Sequence, residues 1–422
     1  MPGARVRNLD LNKTSLDKNK IKIVLLEGIH PSAVESFRRD GYTEVDCYPK
    51  SLPEAELIER INDAYLVGIR SATKLTARVF ENAYRLMGVG CFCIGTNQVD
   101  LESAQDRGIP VFNAPFSNTR SVAELVLAEM ILLMRGIPQR NTLAHRGQWL
   151  KTATGSFEVR NKCLGIVGYG HIGTQVGLLA EAVGMRVIYY DIEAKLALGN
   201  ARPVHTLDAL LEEADVVTLH VPETPLTKGM IGAEQLAHMK EGSRLINAAR
   251  GTLVDIEALA ESLRTKHISG AAIDVFPKEP KGAGDEFVSP LRDIENVLLT
   301  PHIGGSTEEA QQNIGTEVAE KLIKYSNNGS TLGAVNFPEV SLPHQPGAHR
   351  LLHIHRNQPG VLSSINAIFS EQQINITGEY LATNARIGYV VIDIEGSERT
   401  EALMLKRKLD DVAGTIRTRI LY

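Results

Sequence analysis

Three side chains suited to acid–base and anion-binding chemistry follow predicted strands in the second half of the chain. Arg250 follows one apolar segment, Glu279 follows the next, and His302 follows the one after that. The C-terminal ends of neighbouring parallel strands meet at one edge of an α/β sheet, so we expect these side chains around one crevice. A guanidinium that holds a carboxylate, a histidine base and a carboxylate that orients the base are together what hydride exchange with a 2-hydroxy acid requires.

A glycine-rich turn earlier in the chain predicts the cofactor. Gly168 and Gly170 allow a tight turn and a close approach to a pyrophosphate, and Gly173 lets the following helix pack against its strand. The first N–H groups of that helix point at the phosphates. Asp191 ends the next strand, where a carboxylate accepts hydrogen bonds from both ribose hydroxyls and repels a 2′-phosphate. The predicted cofactor is therefore NAD rather than NADP.

Length, charge and cysteine content narrow the class of protein. The 422 residues suffice for two or three domains, and the formal net charge of −5 gives no basic surface for nucleic acid. No apolar run approaches the roughly 20 residues that span a bilayer, so no membrane partner is predicted. The four cysteines fit neither a disulfide framework nor a metal-ligand set, which predicts no metal and a cytoplasmic location. The polar residues 1–20 are predicted to form a flexible leader.

Strand and helix patterns alternate on both sides of the glycine-rich turn, which predicts parallel sheets covered by helices. The predicted strands are residues 21–26, 64–70, 86–92, 163–167, 186–191, 215–220, 244–247, 270–274 and 297–300. The predicted helices are residues 31–39, 76–82, 99–107, 121–145, 207–213, 233–239, 255–265 and 307–325. The predicted fold is α/β, with two Rossmann-like doubly wound domains, the nucleotide-binding one (118–305) inserted into the other (21–117 and 306–340).

The last segment, residues 347–422, follows a linker rich in proline, histidine and glycine at 343–347. Its order of predicted strands and helices differs from that of the preceding domains. Its strand and helix patterns follow the order βαββαβ, which is the ferredoxin-like arrangement. It contains no catalytic triad, metal cluster or phosphate loop. We therefore expect it to regulate an enzyme or to mediate oligomerisation.

Four segments together resemble the D-2-hydroxyacid dehydrogenase family. They are Val167-Gly-Tyr-Gly-His-Ile-Gly173, Ile246-Asn-Ala-Ala-Arg-Gly-Thr252, Gly270-Ala-Ala-Ile-Asp-Val-Phe276 and Thr300-Pro-His-Ile-Gly-Gly-Ser306. The resemblance extends from about Lys20 to Tyr422. Within the family it is to the bacterial, serine-sensitive branch, and it implies NAD-dependent oxidation of 3-phosphoglycerate to 3-phosphohydroxypyruvate, the first step of phosphorylated serine biosynthesis. It also implies a homo-oligomer, with a tetramer as the expected state.

The resemblance also implies the roles of individual residues. His302 is implied as the acid/base, Glu279 as its partner and Arg250 as the substrate anchor. The residues implied to bind NAD are Gly168, Gly170, His171, Ile172, Gly173, Asp191, Ala248, Ala249, Arg250, Asp274, His302, Ile303, Gly304 and Gly305. The residues implied to bind substrate are Arg70, Gly95, Asn97 and Lys151, the last reaching in from a neighbouring subunit. Close relatives carry Arg-Ser-Arg where this chain has Arg-Ser-Ala at 70–72, so one phosphate contact differs.

The C-terminal segment resembles an ACT domain, the amino-acid sensor of this family. By that resemblance His355, Asn357 and Asn375 hold L-serine between two such domains, with Asn375 reaching across the interface. Arg356 departs from the glutamate that close relatives carry, which bears on the strength of serine inhibition. An alternative for this segment is a purely oligomerising role without a ligand.

Two other functions are consistent with the same residues. A broad hydroxypyruvate or glyoxylate reductase of the family shares Arg250, Glu279 and His302 but needs no phosphate-binding Arg70. An NAD-sensing scaffold or corepressor keeps the fold and needs little turnover. A turnover assay distinguishes the scaffold from the two enzymes.

Overall fold

The computed structural model describes residues 15–280, 284–343, 348–395 and 399–421. Residues 1–14 of the predicted leader and 344–347 of the predicted linker lie outside this range. The chain divides into two compact units, Met1–Pro115 with Gln312–Tyr422 and Phe116–Gln311. Within the described part of the chain, no helix is both long and apolar enough to cross a membrane.

The first unit contains a five-stranded parallel sheet in the order β2-β1-β3-β4-β5. Helices cover both of its faces, which is why β1, β3, β4 and β5 are wholly buried. The strands are β1 (Ile23–Leu25), β2 (Val45–Cys47), β3 (Leu66–Ile69), β4 (Gly88–Cys91) and β5 (Val111–Asn113). The helices are α1 (Pro31–Arg39), α2 (Glu54–Ile61), α3 (Ala77–Asn82) and α4 (Leu101–Asp106). Strands β2 and β5 were not predicted, because each has only three residues and β2 is largely exposed at the sheet edge.

The second unit contains a seven-stranded parallel sheet in the order β12-β11-β10-β9-β6-β7-β8. The order reverses between β9 and β6, which creates the switch point where open α/β sheets bind ligands. The strands are β6 (Cys163–Val167), β7 (Arg186–Tyr190), β8 (Arg202–Pro203), β9 (Val216–Leu219), β10 (Ser243–Asn247), β11 (Ile268–Ile273) and β12 (Val297–Leu299). The helices are α5 (Thr119–Met134), α6 (Ile137–His145), α7 (His171–Ala182), α8 (Leu207–Glu213), α9 (Ala233–His238) and α10 (Ile256–Arg264).

The single long helix predicted over residues 121–145 is wrong, because the structure has two helices there. Gly136 separates α5 from α6 with φ of 56°, a left-handed conformation that glycine adopts without strain. Helix α5 has buried residues along its length, whereas α6 has none. The glycine therefore ends a core helix and redirects the chain towards the surface.

The C-terminal module belongs to the first unit and has the predicted βαββαβ order. Its antiparallel sheet is ordered β14-β15-β13-β16. The elements are β13 (Ala348–Arg356), α12 (Val361–Glu371), β14 (Ile376–Thr383), β15 (Ile387–Glu395), α13 (Arg399–Asp410) and β16 (Thr415–Leu421). They follow the long helix α11 (Glu308–Asn328). The parallel sheets and this antiparallel module confirm the predicted fold class.

The two faces of the module's sheet contribute to different cores. Leu351 and Val390 pack against the apolar faces of α12 and α13. Leu352 and Tyr389 pack into the core that also contains residues of α11. A buried ion pair reinforces this second contact: Arg350 Nε lies 2.6 Å from Asp393 Oδ1, and Arg350 Nη1 donates to the carbonyl of Asn328 at 3.2 Å.

Candidate active site

The glycine-rich turn between β6 and α7 has the geometry of a phosphate-binding turn. Gly168 has φ of 92°, and a Cβ there would lie 2.9 Å from the carbonyl of His220. A Cβ on Gly173 would collide with the backbone oxygen of Gly168, so only glycine lets α7 pack this closely. Gly170 precedes the first residue of α7 and has no atom within 4 Å of its missing Cβ. That open space in front of a helix N-terminus fits a pyrophosphate.

Asp191 follows the last residue of β7 and lies beside this turn. Its carboxylate accepts hydrogen bonds from the backbone N–H of Tyr169 at 2.8 Å and of Glu193 at 2.9 Å. These two bonds fix the carboxylate next to the glycine-rich turn. The residues present therefore fit an adenosine ribose with free hydroxyls and disfavour a 2′-phosphate.

Arg250 lies in a loop after β10 that Asn247 closes. The Asn247 side chain, which is fully buried, donates from Nδ2 to the carbonyl of Arg250 at 2.9 Å and accepts from the N–H of Ala249 at 3.1 Å. Ala248 and Ala249 pack into the cores on opposite faces of the sheet. The Arg250 side chain is half-buried and forms no ion pair with any described residue, so its charge is available to an anion.

The loop that carries His302 is tied to the end of β11 by Asp274. The Asp274 carboxylate is buried and accepts hydrogen bonds from Thr300 Oγ1 at 2.6 Å, Ile303 N at 2.8 Å and Gly304 N at 2.8 Å. Its backbone carbonyl accepts from His302 N at 2.8 Å. A Cβ on Gly305 would collide with the side-chain amide of Asn118, so this end of the loop is also closely packed.

His302 and Glu279 form a direct pair. His302 Nδ1 lies 3.0 Å from both carboxylate oxygens of Glu279. Since a carboxylate only accepts, Nδ1 carries the proton and Nε2 has the free lone pair. His302 also has φ of 55°, an uncommon left-handed conformation for a non-glycine residue. The sequence contains no signal for this φ.

Arg250, Glu279 and His302 leave the ends of three adjacent strands. In the sheet order β12-β11-β10, His302 follows β12, Glu279 follows β11 and Arg250 follows β10. A cavity of about 430 Å³ lies beside the His302–Glu279 pair and is lined partly by Phe276 and Phe287. The structure thus pairs His302 with Glu279 and places Arg250 at the same sheet edge.

In the first unit, two residues that no sequence motif marks as functional hold the segments predicted to bind substrate. Glu27 accepts backbone N–H bonds from Arg70 at 3.1 Å, from Ala72 at 2.9 Å and from Thr73 at 2.8 Å. Gln98 donates to the carbonyls of Arg70 at 2.8 Å and of Gly95 at 3.2 Å.

Glu27 joins the loop after β1 to the loop after β3, and Gln98 joins the loops after β3 and β4. Asn97, beside Gly95, is exposed. Lys151 is also exposed and lies outside any helix or strand, in the second unit.

The three residues predicted to bind serine do not meet within one chain. His355 and Asn357 lie at one end of the module, where His355 pairs with Gly388 and Gly388 with Thr383. Asn375 precedes β14 at the opposite end, where Ile376 pairs with Ile394 and Ile394 with His349. Six positions along β13 separate the two ends, which is roughly 20 Å at about 3.4 Å per residue. A pocket with all three side chains therefore needs two modules.

His355 itself is held in a buried row of side chains. Its Nδ1 lies 3.3 Å from Nδ1 of His353, whose Nε2 lies 2.9 Å from Thr415 Oγ1. His355 is 3% exposed, and its ring covers Gly388, where a Cβ would collide with it. Burial lowers the pKa of His355, and burial followed by the neighbouring His355 lowers the pKa of His353 to about 4. His355 is among the residues predicted from the sequence, whereas His353 and Thr415 are not.

Comparison with known proteins identifies the family. Residues 127–304 match the model of the D-isomer specific 2-hydroxyacid dehydrogenase, NAD binding domain, and residues 351–417 match an AHAS small subunit-like ACT domain. The D-3-phosphoglycerate dehydrogenases of Haemophilus influenzae and Escherichia coli K12 are 59% and 60% identical to this chain. Each match covers 97% of this chain and 100% of the relative.

The solved structure of another dehydrogenase has the same fold. D-lactate dehydrogenase from Aquifex aeolicus, complexed with NAD and lactic acid, is 26% identical and superposes with a TM-score of 0.65. That match covers 75% of this chain and 100% of the other. The chain belongs to the D-isomer specific 2-hydroxyacid dehydrogenase family, in the group of the D-3-phosphoglycerate dehydrogenases.

Proposed function

We propose that this chain catalyses the NAD-dependent oxidation of 3-phospho-D-glycerate to 3-phosphohydroxypyruvate, the first step of phosphorylated L-serine biosynthesis. The observation that carries the proposal is the His302–Glu279 pair on a loop anchored by Asp274, at the same sheet edge as Arg250. The full-length similarity to D-3-phosphoglycerate dehydrogenases supports the choice of substrate.

The proposed chemistry follows from the available atoms of these side chains. Arg250 holds the substrate carboxylate through its guanidinium. His302 accepts the C2 hydroxyl proton at Nε2, because Nδ1 is already bonded to Glu279. Glu279, as an anion beside the ring, stabilises the imidazolium that results. When bound, NAD would supply the acceptor for the hydride that leaves C2 as the carbonyl forms.

We assign the cofactor contacts to the start of α7, the end of β7 and the loops that follow β10, β11 and β12. Gly170, His171 and Ile172 at the start of α7 would hold the pyrophosphate, and Asp191 would accept hydrogen bonds from the ribose hydroxyls. Backbone at Ala248–Arg250, with Asp274, would lie on the nicotinamide side, and Ile303, Gly304 and Gly305 are further assigned to cofactor binding. We further assign substrate binding to residues 21–117 and 306–340, NAD binding to 118–305 and regulation to 347–422.

For the substrate phosphate we propose Arg70, with Gly95 and Asn97 taking the carboxylate and Lys151 contributed by another subunit. Glu27 supports this assignment because it fixes the backbone from which Arg70 projects. Ala72 supplies no cation, so Arg70 carries more of the phosphate binding than in relatives that have a second arginine. Because Ala72 replaces this second arginine, a hydroxypyruvate or glyoxylate reductase is the alternative function.

NADH oxidation with 3-phosphohydroxypyruvate and with hydroxypyruvate tests the proposal. We expect a strong preference for the phosphorylated substrate. We expect Arg70→Ala to raise the KM for 3-phosphohydroxypyruvate without changing the KM for hydroxypyruvate. Arg78→Ala is the matched control, because Arg78 is an exposed arginine of the same unit. Equal use of both substrates would favour the general reductase, and the absence of turnover would favour a scaffold.

We also propose that L-serine binds between two ACT modules and inhibits the enzyme, and that the protein is a homo-oligomer, expected to be a tetramer. The separation of Asn375 from His355 within one chain supports a pocket completed by a second copy.

The four free thiols support a reducing compartment, and we propose the cytoplasm. Suppression of turnover by L-serine tests the regulatory part independently of substrate preference.

A further inference from the structure

A second cavity lies in the second unit, at the N-terminal ends of the strands of the seven-stranded sheet. His302 follows the C-terminal end of its strand, on the other side of the sheet. The volume of the cavity is about 860 Å³, within the range of metabolite-binding sites. Its lining includes Lys162, which precedes β6, and Gly242 and Arg244 at the start of β10. Parallel strands begin at this edge, whereas the proposed catalytic loops leave from the other. The cavity is therefore separate from the proposed active site.

Arg244 is a buried cation on the wall of this cavity. It is 6% exposed, its Nη1 donates to the carbonyl of Gly242 at 2.7 Å, and its guanidinium carbon lies 5.0 Å from the centre of the Phe157 ring. Lys162 Nζ lies 5.1 Å from the centre of the same ring. Both cations therefore contact the same aromatic ring. Arg244 Nε has no hydrogen-bond partner among the described residues.

One carboxylate faces these two cations, and it is already engaged. Asp215 accepts from Lys240 Nζ at 2.7 Å and from the backbone N–H of Cys163 at 2.8 Å. Burial raises the pKa of Asp215, but Lys240, this N–H and Lys162 outweigh it and leave the pKa lowered. Asp215 also partly offsets the lowering that burial imposes on the pKa of Arg244.

The balance at this wall is therefore three cations against one carboxylate. Three more acidic side chains lie on the lining, but none of them is within ion-pair distance of Lys162 or Arg244 in the described part of the chain; they are Glu241, Asp293 and Glu295. A buried charge without a counter-ion is unfavourable, so this wall is suited to an anion.

We propose that this cavity binds a small phosphorylated metabolite whose phosphate group lies between Lys162 and Arg244. A phosphate dianion balances the two unneutralised charges at the wall, and a guanidinium and an ammonium are its usual partners. The volume exceeds what a phosphate group fills, so the rest of the ligand extends along the cavity.

Calorimetric titration of the full-length protein with inorganic phosphate, at an ionic strength held constant with chloride, tests the proposal. We expect saturable binding in the wild type, and an affinity at least about tenfold weaker in Lys162→Met and in Arg244→Met, because each variant loses a charged hydrogen bond to the phosphate. Arg186→Met is the matched control, because Arg186 is an exposed arginine near the start of β7. It is expected to bind phosphate as the wild type does.

The proposed substrate site also takes a phosphate, so Arg70→Ala is titrated in parallel. Binding that survives Arg70→Ala and weakens in Lys162→Met supports the second site. Binding lost in Arg70→Ala and retained in Lys162→Met, equal binding in all variants, or no binding in the wild type would overturn it. Because Lys162 is only partly buried, its variant tests the site even if Arg244→Met does not fold.

Discussion

Gly304 donates its backbone N–H to Asp274 Oδ2 at 2.8 Å, and this hydrogen bond is wholly buried. The same carboxylate accepts from Ile303 N, and the Asp274 carbonyl accepts from His302 N. Asp274, the residue after β11, therefore fixes three consecutive backbone N–H groups of the neighbouring loop. His302 keeps its left-handed conformation because its peptide groups are held in this way.

Asp274→Asn should weaken this anchor. An amide presents a donor at one end, so it cannot accept from Ile303 N and Gly304 N together. We expect kcat to fall on the order of 10²-fold, because a displacement of about 1 Å at a reacting group has that effect. Steady-state kinetics of NADH oxidation measures it. Asp293→Asn, at an exposed position with φ of 62° that asparagine tolerates, should leave kcat unchanged. Equal kcat in both variants would contradict the role of Asp274.

Glu279→Gln should lower turnover while preserving NAD affinity. The neutral amide no longer stabilises the imidazolium of His302, and it presents a donor to a ring nitrogen that carries a proton. We expect kcat to fall on the order of 10²-fold, at the lower end of what general acid–base catalysis contributes. We expect the loss of kcat to vary with pH, so the pH–rate profile should change its shape as well as its height. A profile that keeps its shape and height would exclude Glu279 from the acid–base step.

The sequence predicted the motif residues because each has a local requirement. Gly168 and Gly173 occupy positions that a Cβ would obstruct, so their spacing is visible in the chain. Glu27 and Gln98 differ, since they act on residues 43 and 28 positions away and nothing near them marks that role. Gly136 did carry a signal, a glycine inside a helical pattern, that the apolar periodicity of residues 121–145 outweighed.

Glu129 should make the protein less stable as the pH rises. It is 2% exposed, neither carboxylate oxygen has a partner among the described residues, and burial followed by the charge of Asp274 raises its pKa from 4.5 to about 8. Between these values the folded protein retains a proton that the unfolded chain releases, so each pH unit lowers the free energy of unfolding by about 1.4 kcal/mol. This stabilisation is fully present below pH 4.5 and is lost as the pH rises towards 8.

Glu129→Gln removes this titration. The free energy of unfolding of the variant should therefore increase relative to that of the wild type as the pH rises. Unfolding midpoints of the two proteins at several values between pH 5 and pH 8 measure the difference. Glu124→Gln, on the exposed side of the same helix, is the matched control and should run parallel to the wild type. Parallel curves for Glu129→Gln as well would show that its carboxyl is not held neutral by burial.

Thr415 should control the response to L-serine through two histidines. Its Oγ1 donates to the carbonyl of Leu409 at 2.9 Å, so it can only accept from His353 Nε2. His353 Nδ1 is then an acceptor for the Nδ1 proton of His355, which leaves His355 Nε2 with a lone pair for a hydroxyl or ammonium of the effector.

Thr415→Val removes the first link of this row. We expect the serine concentration for half-inhibition to rise roughly tenfold, the value of about one hydrogen bond, with kcat unchanged in the absence of serine. Thr418→Val is the matched control, because Thr418 is a buried threonine of the same strand whose hydroxyl has no partner in the described part of the chain. An unchanged serine response in Thr415→Val would remove the histidine row from effector recognition.

Subunit mixing should show whether Asn375 comes from a second chain. His355→Ala and Asn375→Ala should each be insensitive to serine. A heterodimer of the two has one pocket with both defects and one with none, so hetero-oligomers purified through two different tags should regain part of the inhibition. His355→Ala mixed with Asn357→Ala should regain none, because those two residues lie at the same end of one module and every pocket then has a defect. Insensitivity in both mixtures would contradict a pocket shared between copies.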